Sequence, residues 1–416
     1  MGAEKRLTPK ILLSIALLIV ISRALMLFTG YVGMNLFGHF ATKTEYEATA
    51  PGSYTQWMQK LPYGLEETDV MNLYDFVKYD TFSYLKIATQ GYDQVRMDEP
   101  HTAANWVFFP LYPLLIFLFG KIFWFDPALI GIILSNLFLL VSLVYVYLIC
   151  LQRGLSERQA NAVLFLLLLY PSSLYFSVPY TESLFLMLSA AAIYHACNKQ
   201  YALAFIAASL STVTRVPGFI NLAFVMGTIL LDEGFRFNRR YWKWLLYSVL
   251  SLIPMGLYLL HMKNITGDFL APFHEQSLNW FRYTTVPFKN FIGFLKNPYF
   301  STPDGWDNGV IAFVVSTAVF VVYIAYFLVH FKTMFKDLRQ LLFYGYGAMM
   351  IIIPFSSQPL FLVSVVRYMM VCIPLYIYIV SLADKRENVL RFYQLLFVFV
   401  NVIITIAYFN GYFFVI

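Results

Sequence analysis

Charge is what this sequence has least of. Asp, Glu, Lys and Arg make up only 12% of its 416 residues, where soluble domains carry about 25%. With 60% apolar residues, that shortage excludes an ordinary soluble fold. It also removes any reason to read the formal charge of +6 as a nucleic-acid surface, and no nucleic-acid partner is expected. Cysteine is almost absent: Cys150, Cys197 and Cys372 each lie in or beside an apolar stretch, and no CxxC pair occurs. Neither a disulfide framework nor a thiolate metal site is supported. His101, His274 and Glu275 fall in polar stretches without metal-ligand spacing, and His39, His195, His261 and His330 read as segment-end or interior residues. GxGxxG, a P-loop and HExxH are all missing, which leaves no site for cytoplasmic ATP.

What fills the sequence instead is apolar stretches of roughly 20 residues, the signature of an all-α polytopic membrane protein. Candidate spans are 11–36, 128–150, 161–178, 181–197, 203–231, 244–262, 307–330, 341–355, 361–381 and 391–413. A further apolar stretch, 107–125, opens with FFPLYP. Forty-one Phe and 31 Tyr suit long apolar walls with interfacial belts. No compositional break marks a separate soluble domain, so 1–416 reads as one integral-membrane unit.

The basic residues decide the topology. Lys5, Arg6 and Lys10, Arg153 and Arg158, Lys199, Arg236 to Lys243, Lys332 to Arg339, and Lys385 to Arg391 hold 16 of the 29 Lys and Arg. The polar segment 38–105 carries ten acids against five bases. Positive-inside logic puts the clusters in the cytoplasm and the polar segment outside. For all clusters to face inward, 107–125 must stay in the interface, and 203–231 must cross twice, as 203–215 and 218–231. Pro217 supports that break, because it removes a helix hydrogen bond and restricts Val216. One uninterrupted span would hold Arg215 near mid-bilayer, at about 2.5 to 3.5 kcal/mol on an insertion scale. This scheme predicts about eleven transmembrane helices and two extracytoplasmic loops, 38–127 and 263–306.

Within the first loop, Tyr79 to Tyr92 reads YDTFSYLKIATQGY. Phe82, Leu85, Ile87 and Ala88 alternate with Asp80, Ser83 and Lys86, a pattern for a short interfacial helix that Gly91 would end. Asp80 is either a solvated surface carboxylate or a group placed for chemistry at the membrane surface. Glu182, Arg215 and Arg367 interrupt apolar stretches, and in the eleven-span scheme all three come to the side that holds Asp80. Two accounts fit them: a structural lock with snorkelling arginines, or a site for an anionic headgroup, whose phosphate suits a guanidinium fork.

These residues resemble a known family. Tyr79-Asp80, Ile87-Ala88 and Gly91-Tyr92 stand where members of the PIG-V class of membrane mannosyltransferases carry Trp-Asp, Ile-Ala and Gly-Tyr. Phe108 to Pro113 is similar to that family's FFPLxP motif, and Pro179 to Phe185 to its Pro-Tyr-Ser/Thr-Glu-Ser-Leu-Phe motif. Thr214, Arg215 and Gly218 match its Thr-Arg-x-x-Gly motif, and Arg367, Tyr368 and Pro374 its Arg-Tyr motif. The matches run in order over most of the chain, with Tyr in place of Trp at 79. The extra lumenal insertions of eukaryotic members are missing, as in a prokaryotic-type member.

The resemblance implies a GT-C-type fold and an inverting transfer of a hexose, mannose by analogy, from a polyprenyl-phosphate sugar. The acceptor would be an extracytoplasmic glycolipid, glycan or protein at a bacterial plasma membrane. Asp80 would be the catalytic base, and Tyr79, Tyr84, Glu182, Arg215, Arg367, Tyr368 and Gln276 would line the substrate site. No metal and no further cofactor are required, although Glu182 and His101 leave room for a divalent ion. Two rival readings are a flippase for lipid-linked sugars and a non-catalytic subunit of an envelope assembly complex.

Overall fold

The computed structural model describes residues 7–37, 70–236, 238–280, 282–300, 308–357, 361–384 and 386–412. Lys5, Arg6, His39 and Lys385, residues 38–69 of the first loop and residues 301–306 of the second lie outside them. Among the described residues the chain is helical, with no strand. The first helices are α1 (Pro9–Phe37), α2 (Asp80–Gln90), α3 (Leu111–Phe123), α4 (Pro127–Gln152), α5 (Glu157–Leu169) and α6 (Glu182–Cys197). Then come α7 (Tyr201–Thr212), α8 (Gly218–Asp232), α9 (Arg239–Leu250), α10 (Ile253–Thr266), α11 (Ala271–Leu278) and α12 (Lys289–Lys296). The last five are α13 (Gly309–Met334), α14 (Leu338–Ile352), α15 (Val365–Met369), α16 (Ile373–Ala383) and α17 (Glu387–Phe409).

Side-chain bonds show which helix ends lie together. Tyr74 donates to Asp126 at the start of α4 (3.1 Å) and Lys78 to the Phe409 carbonyl at the end of α17 (3.1 Å). The Leu111 N–H of α3 reaches the Val213 carbonyl just after α7 (3.1 Å). At the opposite end, Arg339 of α14 pairs with Asp232 of α8, and Gln159 of α5 donates to Asp384 after α16 (2.8 Å). Between these ends the described residues make eleven passes: α1, α4, α5, α6, α7, α8, α9 with α10, α13, α14, α16 and α17. Helix α3 begins and ends at the Asp126 end and makes none. The described members of all the basic clusters fall at the Asp232 end.

Among the described residues, five passes are long and apolar enough to cross a membrane unaided: Pro9–Leu36, Pro127–Gln152, Arg239–Thr266, Gly309–Met334 and Glu387–Phe409. At 1.5 Å per residue the 12 residues of α7 span about 18 Å, well short of a hydrocarbon core. The most enclosed of the short helices are α16 and α6. Nearly every residue of α16 and most of α6 are buried, and short helices are tolerated where protein covers them.

Proline sets the breaks. The expected span 161–178 stops being helical at Leu169, ahead of Pro171, and continues as a 3₁₀ turn, Ser173–Phe176. The span 244–262 divides ahead of Pro254 and 361–381 ahead of Pro374. The break expected at Arg215 to Gly218 is present. A Cβ on Gly218 would lie 2.3 Å from the Ser211 carbonyl, so α7 and α8 meet this closely only because residue 218 has no side chain.

Candidate active site

Helix α2 begins on Asp80 in an unusual way. Its N-cap is Tyr79, at φ +58° and ψ −124°, with no side-chain cap. A non-glycine residue held there costs about 1–3 kcal/mol. The surroundings hold it: Tyr79 donates to the Tyr412 carbonyl at 2.6 Å, its ring meets Tyr408 edge-on at 5.7 Å, and Lys78 is tied to Phe409. Thr81, Tyr84 and Ala88 form the buried face, while Phe82 is exposed. The helix ends at Gly91, φ +86° and ψ −168°, a conformation open almost only to glycine.

The motifs read from the sequence converge on this helix. Tyr92 donates to the Phe108 carbonyl at 2.8 Å, and the rings of Phe108, Tyr112 and Tyr180 surround Tyr84 at 5.1 to 6.1 Å. Tyr112 donates to the Gly131 carbonyl at 2.9 Å, which fixes FFPLYP against α4. The Tyr180 hydroxyl accepts the Asp80 backbone N–H at 3.2 Å. In this way α3, α4 and the start of α6 set the position of Asp80.

The charged residues form an alternating chain. Arg367 Nη1 donates to Asp80 Oδ2 at 2.8 Å. Arg367 Nε lies 3.6 Å from Glu182 Oε1, a charge contact too long for a hydrogen bond. Glu182 Oε1 also accepts from Arg215 Nη1, which reaches Thr181 Oγ1 at 3.2 Å. Thr181 Oγ1 in turn lies 3.4 Å from the Tyr84 hydroxyl. Glu182 and Arg367 are almost fully buried, at 1% and 5% side-chain exposure, whereas Asp80 keeps 17%. Among the described residues no group donates to Asp80 Oδ1, and the buried Glu182 Oε2 has no hydrogen-bond partner.

Tyr368 sits at the centre of three guanidiniums. Its ring centroid lies 4.9 Å from Arg215 Cζ, 5.2 Å from Arg367 Cζ and 5.3 Å from Arg282 Cζ, cation–π distances. Its hydroxyl accepts from Arg282 Nη1, while Arg282 Nη2 donates to Ser364 Oγ at 2.8 Å. Ser364, at φ +60°, starts α15 as Tyr79 starts α2. Sequence reasoning passed over Arg282, which stands in NWFRY within the second loop, where an arginine reads as ordinary surface. Its aromatic flanks were the available signal.

Two expected site residues are placed otherwise. Tyr79 turns its hydroxyl to Tyr412 and anchors α2 rather than joining the charged chain. Gln276 lies on α11, where its carbonyl accepts the Arg282 N–H at 2.7 Å. Asp75 caps the 3₁₀ turn Leu73–Phe76 by accepting the Asn72 N–H at 2.7 Å.

His101, which left room for an ion, pairs with Glu275. Glu275 is buried and accepts from Ala104 N–H (2.8 Å), the Asn279 amide (3.0 and 3.1 Å) and His101 Nε2 (3.0 Å). His101 Nδ1 faces the Glu99 carbonyl at 2.7 Å. A neutral imidazole has one N–H, so acceptors at both nitrogens favour the cation, and the pKa rises, first through Glu99 and then through Glu275. His274 contacts Asp268 instead. Among the described residues no three His, Cys, Asp or Glu side chains come together as a metal site.

No family model matches the chain, and no curated protein matches it. Among solved structures it is similar to ArnT from Cupriavidus metallidurans, in a crystal structure bound to undecaprenyl phosphate. Identity is 13% and the TM-score 0.45, over 88% of this chain and 60% of that one. The chain thus spans less than two thirds of that protein's length. A likeness at this level carries neither substrate nor activity from one chain to the other.

Proposed function

We propose that this integral membrane protein is an inverting glycosyltransferase of the GT-C type that uses a polyprenyl-phosphate sugar. The observation that carries the reading is the juxtaposition at the start of α2. A carboxylate with one oxygen open, Asp80 Oδ1, stands beside three arginines whose charge exceeds that of the two carboxylates among them. Such a site offers a base to a hydroxyl and positive charge to an anion. With the basic clusters gathered at the Asp232 end, positive-inside logic puts the Asp80 end outside the cytoplasm, where a lipid-linked donor replaces nucleotide sugars.

In the reaction, an acceptor hydroxyl oxygen attacks the anomeric carbon from the face opposite the phosphate. The new glycosidic C–O bond forms as the carbon–oxygen bond to phosphate breaks, and its electron pair leaves with the polyprenyl phosphate. Asp80 Oδ1 takes the hydroxyl proton. Arg367 holds Asp80 through Oδ2 and so fixes the direction of Oδ1. The guanidiniums stabilise the charge gathering on the leaving phosphate. The carry-over from the PIG-V resemblance makes the hexose mannose and the acceptor an extracytoplasmic glycolipid, glycan or protein. No metal enters this scheme.

The test is turnover by the purified chain in lipid nanodiscs, with polyprenyl-phosphate mannose first among a panel of donors and a crude membrane lipid extract as acceptor. Release of polyprenyl phosphate together with a glycosylated acceptor supports the reading. Intact donor that merely changes leaflets in vesicles would replace it with the flippase reading.

A further inference from the structure

We propose that Arg282 is the residue that takes the donor's phosphate. The inference rests on the function proposed above, and it moves the phosphate away from Arg215 and Arg367, where sequence reasoning placed it. Both of those arginines are already matched to carboxylates: Arg215 to Glu182, and Arg367 to Asp80 and Glu182. Arg282 has only neutral partners, the Tyr368 hydroxyl and Ser364 Oγ, and among the described residues no carboxylate comes within ion-pair reach of it. Those two bonds use two of the five N–H groups of a guanidinium. Its Nε–H and one hydrogen on each terminal nitrogen remain to be given.

The charge balance points the same way. Three guanidiniums meet two carboxylates around Tyr368, which leaves one positive charge unmatched. A sugar phosphodiester carries one negative charge, so a bound donor would neutralise the cluster. Breaking the sugar–phosphate bond leaves a monoester, which can carry a second negative charge, so attraction to Arg282 grows as the reaction proceeds. Such interactions, stronger late than early, are the ones that accelerate a step.

The backbone around Arg282 is held on both sides. Its own N–H donates to the Gln276 carbonyl (2.7 Å), the Thr285 N–H to Ser356 (2.8 Å) and the Phe288 N–H to Phe355 (3.2 Å). The arginine is thus presented from a braced segment, with Ser364 and Tyr368 of the opposite segment fixing two of its nitrogens.

The experiment measures binding of undecaprenyl phosphate to the full chain, beside undecaprenol and with inorganic phosphate as competitor. Wild type is expected to prefer the lipid phosphate to the alcohol, and inorganic phosphate to compete poorly. Arg282→Gln is expected to lose about tenfold or more of the phosphate affinity, the scale of a hydrogen bond to a charged group, with alcohol binding unchanged. Arg96→Gln, an exposed arginine of the same end paired with Asp98, controls for lost positive charge and should behave as wild type. If Arg282→Gln kept the phosphate preference, the assignment would fall while the proposed function stood. A wild type blind to the phosphate would overturn both, and effective competition by inorganic phosphate would overturn the lipid-headgroup assignment. Should Arg282→Gln not accumulate, Arg282→Lys decides: it keeps the charge without the planar fork, and an unchanged affinity would again overturn the assignment.

Discussion

The two ends of the helix bundle both carry arginine–carboxylate pairs, and they are built differently. At the Asp232 end, Asp232 accepts from both Tyr201 and Arg339, and Glu233 pairs with Arg240. The arginine side chains there are 61% and 63% exposed, while Asp232 and Glu233 are 6% and 11% exposed, so water reaches the guanidinium of each pair and weakens it. At the Asp80 end Arg367 is buried and Arg215 and Arg282 are half-buried, one carboxylate oxygen of Glu182 has no hydrogen-bond partner among the described residues, and positive charge exceeds negative. A bundle needs staples at both ends; the surplus positive charge beside Asp80 is what the proposed site would use.

That contrast sets the order of expected stability losses, each read as unfolding in mixed micelles. Glu182→Ala strands Arg215 and leaves Arg367 with Asp80 alone, and should cost about 3–5 kcal/mol. A loss below about 1 kcal/mol would mean that water already reaches the pair, and the contrast between the ends would collapse. Gly218→Ala drives a methyl into the Ser211 carbonyl and should cost about 1–3 kcal/mol, the scale of overpacking; a neutral result would remove the close α7–α8 contact from the account. Arg339→Ala, its exposed counterpart at the other end, should cost only about 0.2–1 kcal/mol. A larger loss would show that the far end also relies on buried charge.

The smallest expected effect depends on pH. His101 has a raised pKa, so the charged form stabilises the fold. That contribution is fully present below the ordinary histidine value of about 6.5 and is lost as pH rises through the folded value above it. Melting temperature should therefore fall slightly between about pH 6 and pH 8, and His101→Gln should flatten the profile. An unchanged slope in that variant would assign the titration elsewhere.

Much of the architecture was legible because it follows from composition and from proline. The basic clusters required eleven passes and a break near Arg215, and Pro217 and Gly218 supplied one. The splits at Pro254 and Pro374 were equally visible as residues, yet apolar runs across them hid the change from spanning helix to turn. The site was legible where a charge stood in an apolar stretch, as with Glu182, Arg215 and Arg367. It was not legible where direction mattered. Tyr79 and Asp80 are neighbours, and only the backbone at +58° sends one side chain to Tyr412 and the other to Arg367. Arg282 had no apolar background to stand out against.

The measurement that tests the central claim most directly sets Asp80→Asn beside Asp75→Asn in the transfer assay. The two carboxylates lie five residues apart, but one opens an oxygen at the charged site and the other caps a surface turn. A general base supplies roughly 10²- to 10⁴-fold, so Asp80→Asn should lose nearly all turnover while the protein still inserts and binds donor. Asp75→Asn should keep most of its turnover. If Asp80→Asn retained more than about a tenth of wild-type turnover, the base assignment would be contradicted, and a dead Asp75→Asn would move the chemistry to the other carboxylate.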